Sequence, residues 1–154
     1  MSVAARLLRT RWLMRAPIGM FRIGLGFLFG ERLLLLEHIG RTSGKARYVV
    51  LETVSRPTPN EILVASGFGT RSQWLQNLRA NAQCFVSIGR IRRSPAVSEI
   101  LDDESARRAL AGYALEHPKA WQQLNALMGE LAGTANPEIP VVRLTLPTRG
   151  GSSQ

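Results

Sequence analysis

Six short apolar runs, separated by turn-forming residues, constrain the fold of this chain more than any other feature of its sequence. The turns are rich in Gly, Pro, Asn and Ser, which punctuate strands. A doubly wound parallel sheet would need a helix between successive strands, but a long helical pattern appears only late in the chain. The sequence therefore predicts a mainly β, α+β fold: a six-stranded antiparallel barrel. The predicted strands are 33–39, 48–55, 61–66, 83–88, 91–101 and 141–146.

Three helical segments accompany these strands. A short one is predicted over residues 72–80, with its apolar side chains on one face. Asp102 is the predicted N-cap of the next, which runs to about Glu116 and is broken by Pro118. A partner helix completes a pair before the last strand, and its apolar stripe is Trp121, Leu124, Met128 and Leu131.

The N-terminal segment is basic and partly apolar. Residues 1–32 contain six arginines and one acid, Glu31. The apolar stretch is shorter than the ~20 residues of a spanning helix and has no cleavage site, so we predict neither a transmembrane helix nor a signal peptide. Two interpretations stay open: a lid on the barrel, or a peripheral contact with an anionic membrane. The helical stripe consists of Ile18, Phe21, Leu25 and Leu28.

These patterns divide the chain into three parts. Residues 1–32 form a basic amphipathic lead-in, residues 33–147 one barrel domain, and residues 148–154 a polar tail. A length of 154 residues suits a single domain with one core.

Charge and cysteine content narrow the classes of function. The net charge of +9 implies an anionic partner, which is a nucleic acid, a lipid surface or a phosphorylated cofactor. Aromatic residues make up only 6% and do not alternate with the basic ones, so we do not expect nucleic-acid binding. Cys84 lies in an apolar run and is predicted to pack in the core. Apart from carboxylates, the sequence offers Cys84, His38 and His117 as possible metal ligands, and no metal site is predicted from them. The lack of disulfides favours a cytoplasmic location.

The turn at residues 40–47 is the segment richest in groups that can bind an anion. Between two strands it places two glycines, two hydroxyls and three cations in eight residues. Glycines allow backbone N–H groups to face an anion, and the cations add charge-assisted bonds. A solvated basic hairpin would have the same composition, so both interpretations stay open on these residues alone. The polar members are Arg41, Thr42, Ser43, Lys45 and Arg47.

Five motifs follow one another along residues 33–146: GRTSGKAR, ASGFG, WLQNLRAN, His117-Pro118 and PVVRL. In this order and spacing they resemble the deazaflavin-dependent nitroreductase family. Members of that family are split β-barrels that transfer hydride from reduced coenzyme F420, so the resemblance implies an oxidoreductase acting on a quinone or nitro compound. The alternatives are FMN in place of F420, or a non-catalytic carrier of a lipid or flavin-like molecule. Barrels of this type also pair as homodimers.

The resemblance also implies roles for individual residues. The loop from Arg41 to Arg47, including Ser43 and Lys45, would grip the phosphate and acidic tail of the deazaflavin. Thr42 and Phe68 stand where family members commonly carry Lys. The substrate pocket would contain Tyr113, His117 and Trp121, with His117 or Tyr113 as proton donor. The segment along and beside the cofactor would be Ser66, Gly67, Phe68, Gly69, Trp74 and Asn77.

Overall fold

Backbone hydrogen bonds join six antiparallel strands into a closed barrel in the computed structural model, which describes residues 18, 21, 30–66, 72–119, 121–122 and 139–148. The described elements are β1 Leu33–Ile39, β2 Ala46–Thr58, β3 Glu61–Ala65, α1 Gln73–Ala80, β4 Gln83–Ile88, β5 Ile91–Ile100, α2 Asp103–Glu116 and β6 Val141–Thr145. The order of the strands around the barrel is β1-β2-β3-β6-β5-β4.

The predicted antiparallel barrel is confirmed, and one boundary differs substantially. β2 extends to Thr58, beyond the predicted strand end at residue 55, because Thr58 pairs with Glu61 of β3. The pairing register shifts between Ser55 and Thr58, which leaves Pro57 outside the ladder. Proline has no N–H to donate, so it fits this irregular position in a strand.

Helix α1 packs against the barrel core beside β1. The apolar face predicted from the sequence, Trp74, Leu75 and Leu78, is buried in one cluster with Leu34 and Leu36 of β1. Burying this face fixes the helix, and therefore its polar residues, relative to the end of β1.

Helix α2 packs on the outside of the barrel. Its predicted N-cap is confirmed, since the carboxylate of Asp102 accepts the backbone N–H of Ser105 at 2.7 Å. Leu110 and Tyr113 share an apolar cluster with Val54 of β2.

The N-terminal stripe is described at two positions, both helical. Phe21 is buried against Leu35 and Val50 of the β1–β2 hairpin, and Ile18 packs on the same cluster. These two residues therefore contact the barrel, as the lid interpretation requires. None of the helices in the described ranges is long and apolar enough to cross a membrane. Leu25, Leu28, Leu124, Met128 and Leu131 lie outside the described residues.

Candidate functional site

The loop between β1 and β2 is a compact turn built around two glycines. Gly40 donates its N–H to the carbonyl of Lys45 at 2.9 Å, and Gly44 donates to the carbonyl of Gly40 at 2.8 Å. Gly44 has a φ of +70°, which favours glycine. At Gly40 a Cβ atom would lie 2.5 Å from the hydroxyl of Ser43, so no larger residue fits without a shift. The glycines therefore define the shape of the loop.

Arg41 ties this loop to helix α1. Its backbone N–H and its Nη1 both donate to Oδ1 of Asn77, at 3.1 and 2.8 Å. Its Nη2 donates to Oε1 of Gln73 at 2.9 Å. Asn77 and Gln73 are four residues apart, so they lie on one face of the helix. The loop is thus held by two side chains of a helix whose apolar face packs on the barrel core.

The other two cations of the loop face solvent. Lys45 and Arg47 are exposed, and their side chains make no hydrogen bond or ion pair with any residue that the structure describes. Thr42 and Ser43 are exposed beside them, and the Ser43 hydroxyl accepts the N–H of Lys45 at 3.2 Å. Arginine and lysine donors match phosphate and carboxylate oxygens. This donor set fits the phosphate and acidic tail of a deazaflavin coenzyme.

His38 connects the loop anchor to the barrel interior. It is only 4% exposed, and its Nδ1 lies 3.0 Å from Nδ2 of Asn77. Burial, and then the positive charge of Arg47, lower the pKa of His38 to about 4. The imidazole is therefore neutral at physiological pH.

Three predicted cofactor residues are buried in the structure. Ser66 is fully buried, with its hydroxyl 2.6 Å from that of Ser72. Trp74 packs in the core, and Asn77 is 5% exposed with its amide bonded to Arg41 and His38. A role for these residues in cofactor contact stays a prediction. Gly67, Phe68 and Gly69 lie outside the described residues.

The three residues predicted to line the substrate pocket lie near one another on and after helix α2. The rings of Tyr113 and His117 are 5.1 Å apart, and Trp121 packs on the cluster that contains Tyr113. His117 lines a cavity of about 250 Å³, whose other walls are Glu31, Arg32, Glu52, Thr53 and Val54.

The two predicted proton donors differ in their surroundings. Tyr113 is buried, and its hydroxyl donates to the carboxylate of Glu52 at 2.9 Å. Burial, and then the hydrogen bond and charge of Glu52, raise the pKa of Tyr113 to about 12. Its proton is thus held within the protein. His117 is exposed and lines the cavity directly.

The structure does not bring the cationic loop and this cavity together. Ile39 pairs with Ala46 beside the loop, whereas Leu33 pairs with Glu52 beside the cavity. Six residue steps separate Leu33 from Ile39, which places the two ends of the hairpin roughly 20 Å apart. This separation between the two ends could not be read from the sequence.

A larger apolar groove lies at the same end of the barrel as the loop. Its volume is about 650 Å³, and none of the predicted site residues lines it. Its walls include Ile39 at the end of β1 and Val97, which is 56% exposed. Cys84 also contributes, but it is buried, and burial raises its pKa to about 11. The thiol is protonated, in agreement with its predicted packing role.

Three polar residues of these sites were missed from the sequence. His38 follows Leu34 and Leu36 at the strand spacing of two, so a histidine on an inward apolar face was a usable signal. Gln73 lies one helical turn before Asn77, and Glu52 interrupts an apolar strand. Their partners are distant in the chain, so only the fold reveals the contacts.

Solved structures with the same fold include a reductase. A protein described as "Structure of F420-H2 Dependent Reductase (FDR-A)" is 20% identical, with a TM-score of 0.53, over 75% of this chain and 95% of that chain. Another, described as a domain-swapped dimer, is 19% identical with a TM-score of 0.58, over 88% of this chain and 98% of that chain. At these identities the similarity shows the split-barrel fold.

Sequence comparison identifies the family. A Mycobacterium tuberculosis protein named "Putative F420H(2)-dependent quinone reductase" is 38% identical over 98 residues, which are 60% of this chain and 82% of that protein. The family model of the F420H(2)-dependent quinone reductases matches residues 12–142, the segment that carries the cationic loop, helix α1 and the pocket on α2. The chain therefore belongs to the F420H(2)-dependent quinone reductase family and is an oxidoreductase whose cofactor is coenzyme F420.

Proposed function

We propose that this protein reduces a flat, apolar quinone or nitro compound with hydride from reduced F420, and that its cationic loop binds the anionic part of the coenzyme. The observation that carries the assignment of the loop is the geometry around Arg41. Its guanidinium is fixed by Asn77 and Gln73, while Lys45 and Arg47 stay exposed beside it. A solvated hairpin has no need of a buried asparagine to hold its arginine.

The loop residues act by binding. Arg41, Lys45 and Arg47 supply positive charge, and Ser43 contributes a hydroxyl to the same turn. When bound, the coenzyme supplies the hydride, so the protein needs no nucleophile or metal for this step. Alignment of donor and acceptor is the main requirement for the transfer.

We propose that Tyr113, His117 and Trp121 form the acceptor pocket. Among the two proton donors the geometry favours His117, because it lines the cavity while the proton of Tyr113 is engaged by Glu52. Glu52 lines the cavity, and the hydrogen bond from Tyr113 would hold that side chain in place. Proton delivery to the reduced acceptor is then the task of His117.

The decisive experiment is a fluorescence titration of the purified chain with F420 and with FMN, at low and high salt. F420 should bind more tightly, and its affinity should fall more steeply with salt, because its tail carries extra carboxylates. Turnover is then measured with reduced F420 and a benzoquinone or a nitroaromatic compound. Binding of F420 without turnover of any acceptor would favour the carrier function, and tighter binding of FMN would refute the cofactor assignment of the loop.

The cellular setting is a second part of the proposal. We propose a cytoplasmic enzyme that pairs as a homodimer, for which a related fold described as a domain-swapped dimer is the support. Contact of the basic N-terminal segment with anionic membrane would bring the enzyme near lipid-dissolved acceptors. The burial of Phe21 on the barrel favours a lid for that part of the stripe instead. Light scattering tests whether the protein is a dimer, and co-sedimentation with vesicles tests whether it contacts an anionic membrane.

A further inference from the structure

His38 occupies an unusual place for a polar side chain. It is the sixth residue of β1, whose alternate residues Leu34 and Leu36 point into the barrel core. The imidazole reaches the end of that core and meets Asn77 of helix α1, which is itself 5% exposed. Two buried polar groups thus satisfy each other where the strand leads into the cationic loop.

The donors and acceptors around Asn77 can be assigned without ambiguity. Arg41 only donates, and its backbone N–H and Nη1 both lie within hydrogen-bond distance of one amide atom of Asn77. That atom must be the oxygen, because a flipped amide would set an NH₂ group against two donors. The nitrogen of the amide therefore faces His38 and donates to it.

This assignment fixes the state of the imidazole. Nδ1 of His38 must present its lone pair to Asn77, so the ring is neutral and its proton is on Nε2. The lowered pKa of His38 agrees, since burial and the cross-strand neighbour Arg47 both oppose the charged form. A chain of contacts then runs from the barrel core to the loop: His38, Asn77, Arg41.

We propose that His38 is a positioning residue for coenzyme F420, acting through Asn77 to hold Arg41 in its binding geometry. The inference rests on the proposed role of the loop as the binding site for the anionic part of F420. The lone pair of His38 gives the Asn77 amide one orientation, in which its oxygen faces the loop. Without that acceptor, the amide nitrogen loses its buried partner and the amide is free to turn away from Arg41.

Two substitutions at this position separate hydrogen bonding from packing. His38→Leu keeps an apolar side chain of moderate size but offers no acceptor, whereas His38→Asn places an amide oxygen near the position of Nδ1. We expect the dissociation constant for F420 to rise about tenfold in His38→Leu, and to stay within about threefold of the parent value in His38→Asn. If His38 had a purely structural role, the F420 affinities of the two variants would instead follow their free energies of unfolding, which urea denaturation measures.

A second measurement needs no coenzyme. Nitrogen chemical shifts of the His38 ring, recorded by NMR on the free protein at neutral pH, should show an unprotonated Nδ1 and a protonated Nε2. A double-mutant cycle tests the connection: Arg41→Ala should weaken F420 binding in the parent but add little in the His38→Leu background.

The outcomes separate this inference from the assignment of the loop. Three results would each overturn the positioning role and leave the loop assignment intact. They are parent-like F420 affinity in a folded His38→Leu protein, equal losses of affinity in the two His38 variants, and a protonated Nδ1 of His38. Parent-like F420 affinity in both Arg41→Ala and Arg47→Ala would instead overturn the loop assignment, and the inference with it. If His38→Leu does not fold, His38→Asn and the NMR measurement still decide the question.

Discussion

The two ends of the β1–β2 hairpin use polar residues in opposite ways. At the loop end, the buried residues His38 and Asn77 hold an exposed cation, Arg41, in place. At the other end, the buried Tyr113 donates to the exposed Glu52, and His117 stands at the surface of a small cavity. One end presents exposed cations that suit an anionic ligand, and the other has a cavity whose walls combine Glu31, Arg32 and Glu52 with Val54. A single hydride transfer must nevertheless involve both the coenzyme and the acceptor. Experiments should therefore probe how two sites roughly 20 Å apart take part in one reaction.

The largest expected effect concerns stability at the loop end under acid. The folded protein resists protonation of His38 until about pH 4, whereas an unfolded chain takes up this proton near pH 6.5. The free energy of unfolding should therefore fall as the pH drops from 6.5 to 4, by about 2 to 3 kcal/mol from this group. Urea denaturation across that range should show a shallower loss in His38→Leu than in the parent. Equal slopes would mean that His38 is not held neutral.

Coenzyme binding should depend on the loop arginines. Arg41→Ala and Arg47→Ala should each weaken F420 binding by about 1.5 to 3 kcal/mol, the range for hydrogen bonds to charged groups. Arg41→Ala should also lower stability by about 1 kcal/mol, because the oxygen of Asn77 loses the Nη1 donor and keeps only the backbone N–H of residue 41. Arg108→Ala on helix α2 removes the same charge far along the chain from the loop and serves as the control. Fluorescence titration at low salt measures all three, and unchanged affinity in both loop variants contradicts the assignment.

The acceptor end is tested by His117→Ala, for which we expect a turnover number about tenfold lower and an unchanged dissociation constant for F420. The effect should fall below the usual range for a general acid, because water can enter the cavity and supply protons. Val97→Lys is the matched variant in the apolar groove at the loop end. A raised KM for the acceptor in Val97→Lys, with normal kinetics in His117→Ala, would move the acceptor site to the groove.

Cys84→Ser tests a buried group at the loop end that we place outside the chemistry. The thiol donates to the carbonyl of Ala96 at 3.6 Å and stays protonated at neutral pH, so turnover should remain within a few-fold of the parent. Stability should fall by about 1 kcal/mol, because a more polar hydroxyl replaces the thiol in the core. Loss of all turnover in a folded Cys84→Ser protein would restore a nucleophilic role.

The smallest effect is expected at the N-terminal segment, of which Ile18 and Phe21 pack on the β1–β2 hairpin. Since Phe21 is buried on Leu35 and Val50, removal of residues 1–15 should leave F420 binding unchanged and affect only contact with lipid. Co-sedimentation with anionic and neutral vesicles compares the full and truncated chains. Salt-sensitive binding to anionic vesicles that falls on truncation would support a peripheral membrane contact, and equal recovery in the supernatant would leave the segment as a lid.

The sequence predicted the barrel well because its signals are local. Strand alternation, the glycines of the loop and the Asp102 cap each depend on a few neighbouring residues, and the structure confirms them. The contacts of Arg41 with Asn77 and of Tyr113 with Glu52 join residues 36 and 61 positions apart. No sequence periodicity encodes such pairings. The contacts that anchor the loop and form the cavity wall are therefore visible only in the folded structure.

The fixed guanidinium of Arg41 has a consequence for the kinetics of binding. A loop already held by Asn77 and Gln73 has little conformational freedom left to lose when an anion arrives. Encounter, steered by the charges of Lys45 and Arg47, then sets the association rate, with no slow ordering step. Added salt should accordingly slow association far more than it speeds dissociation, so that the coenzyme's residence time stays nearly constant while its capture becomes less frequent.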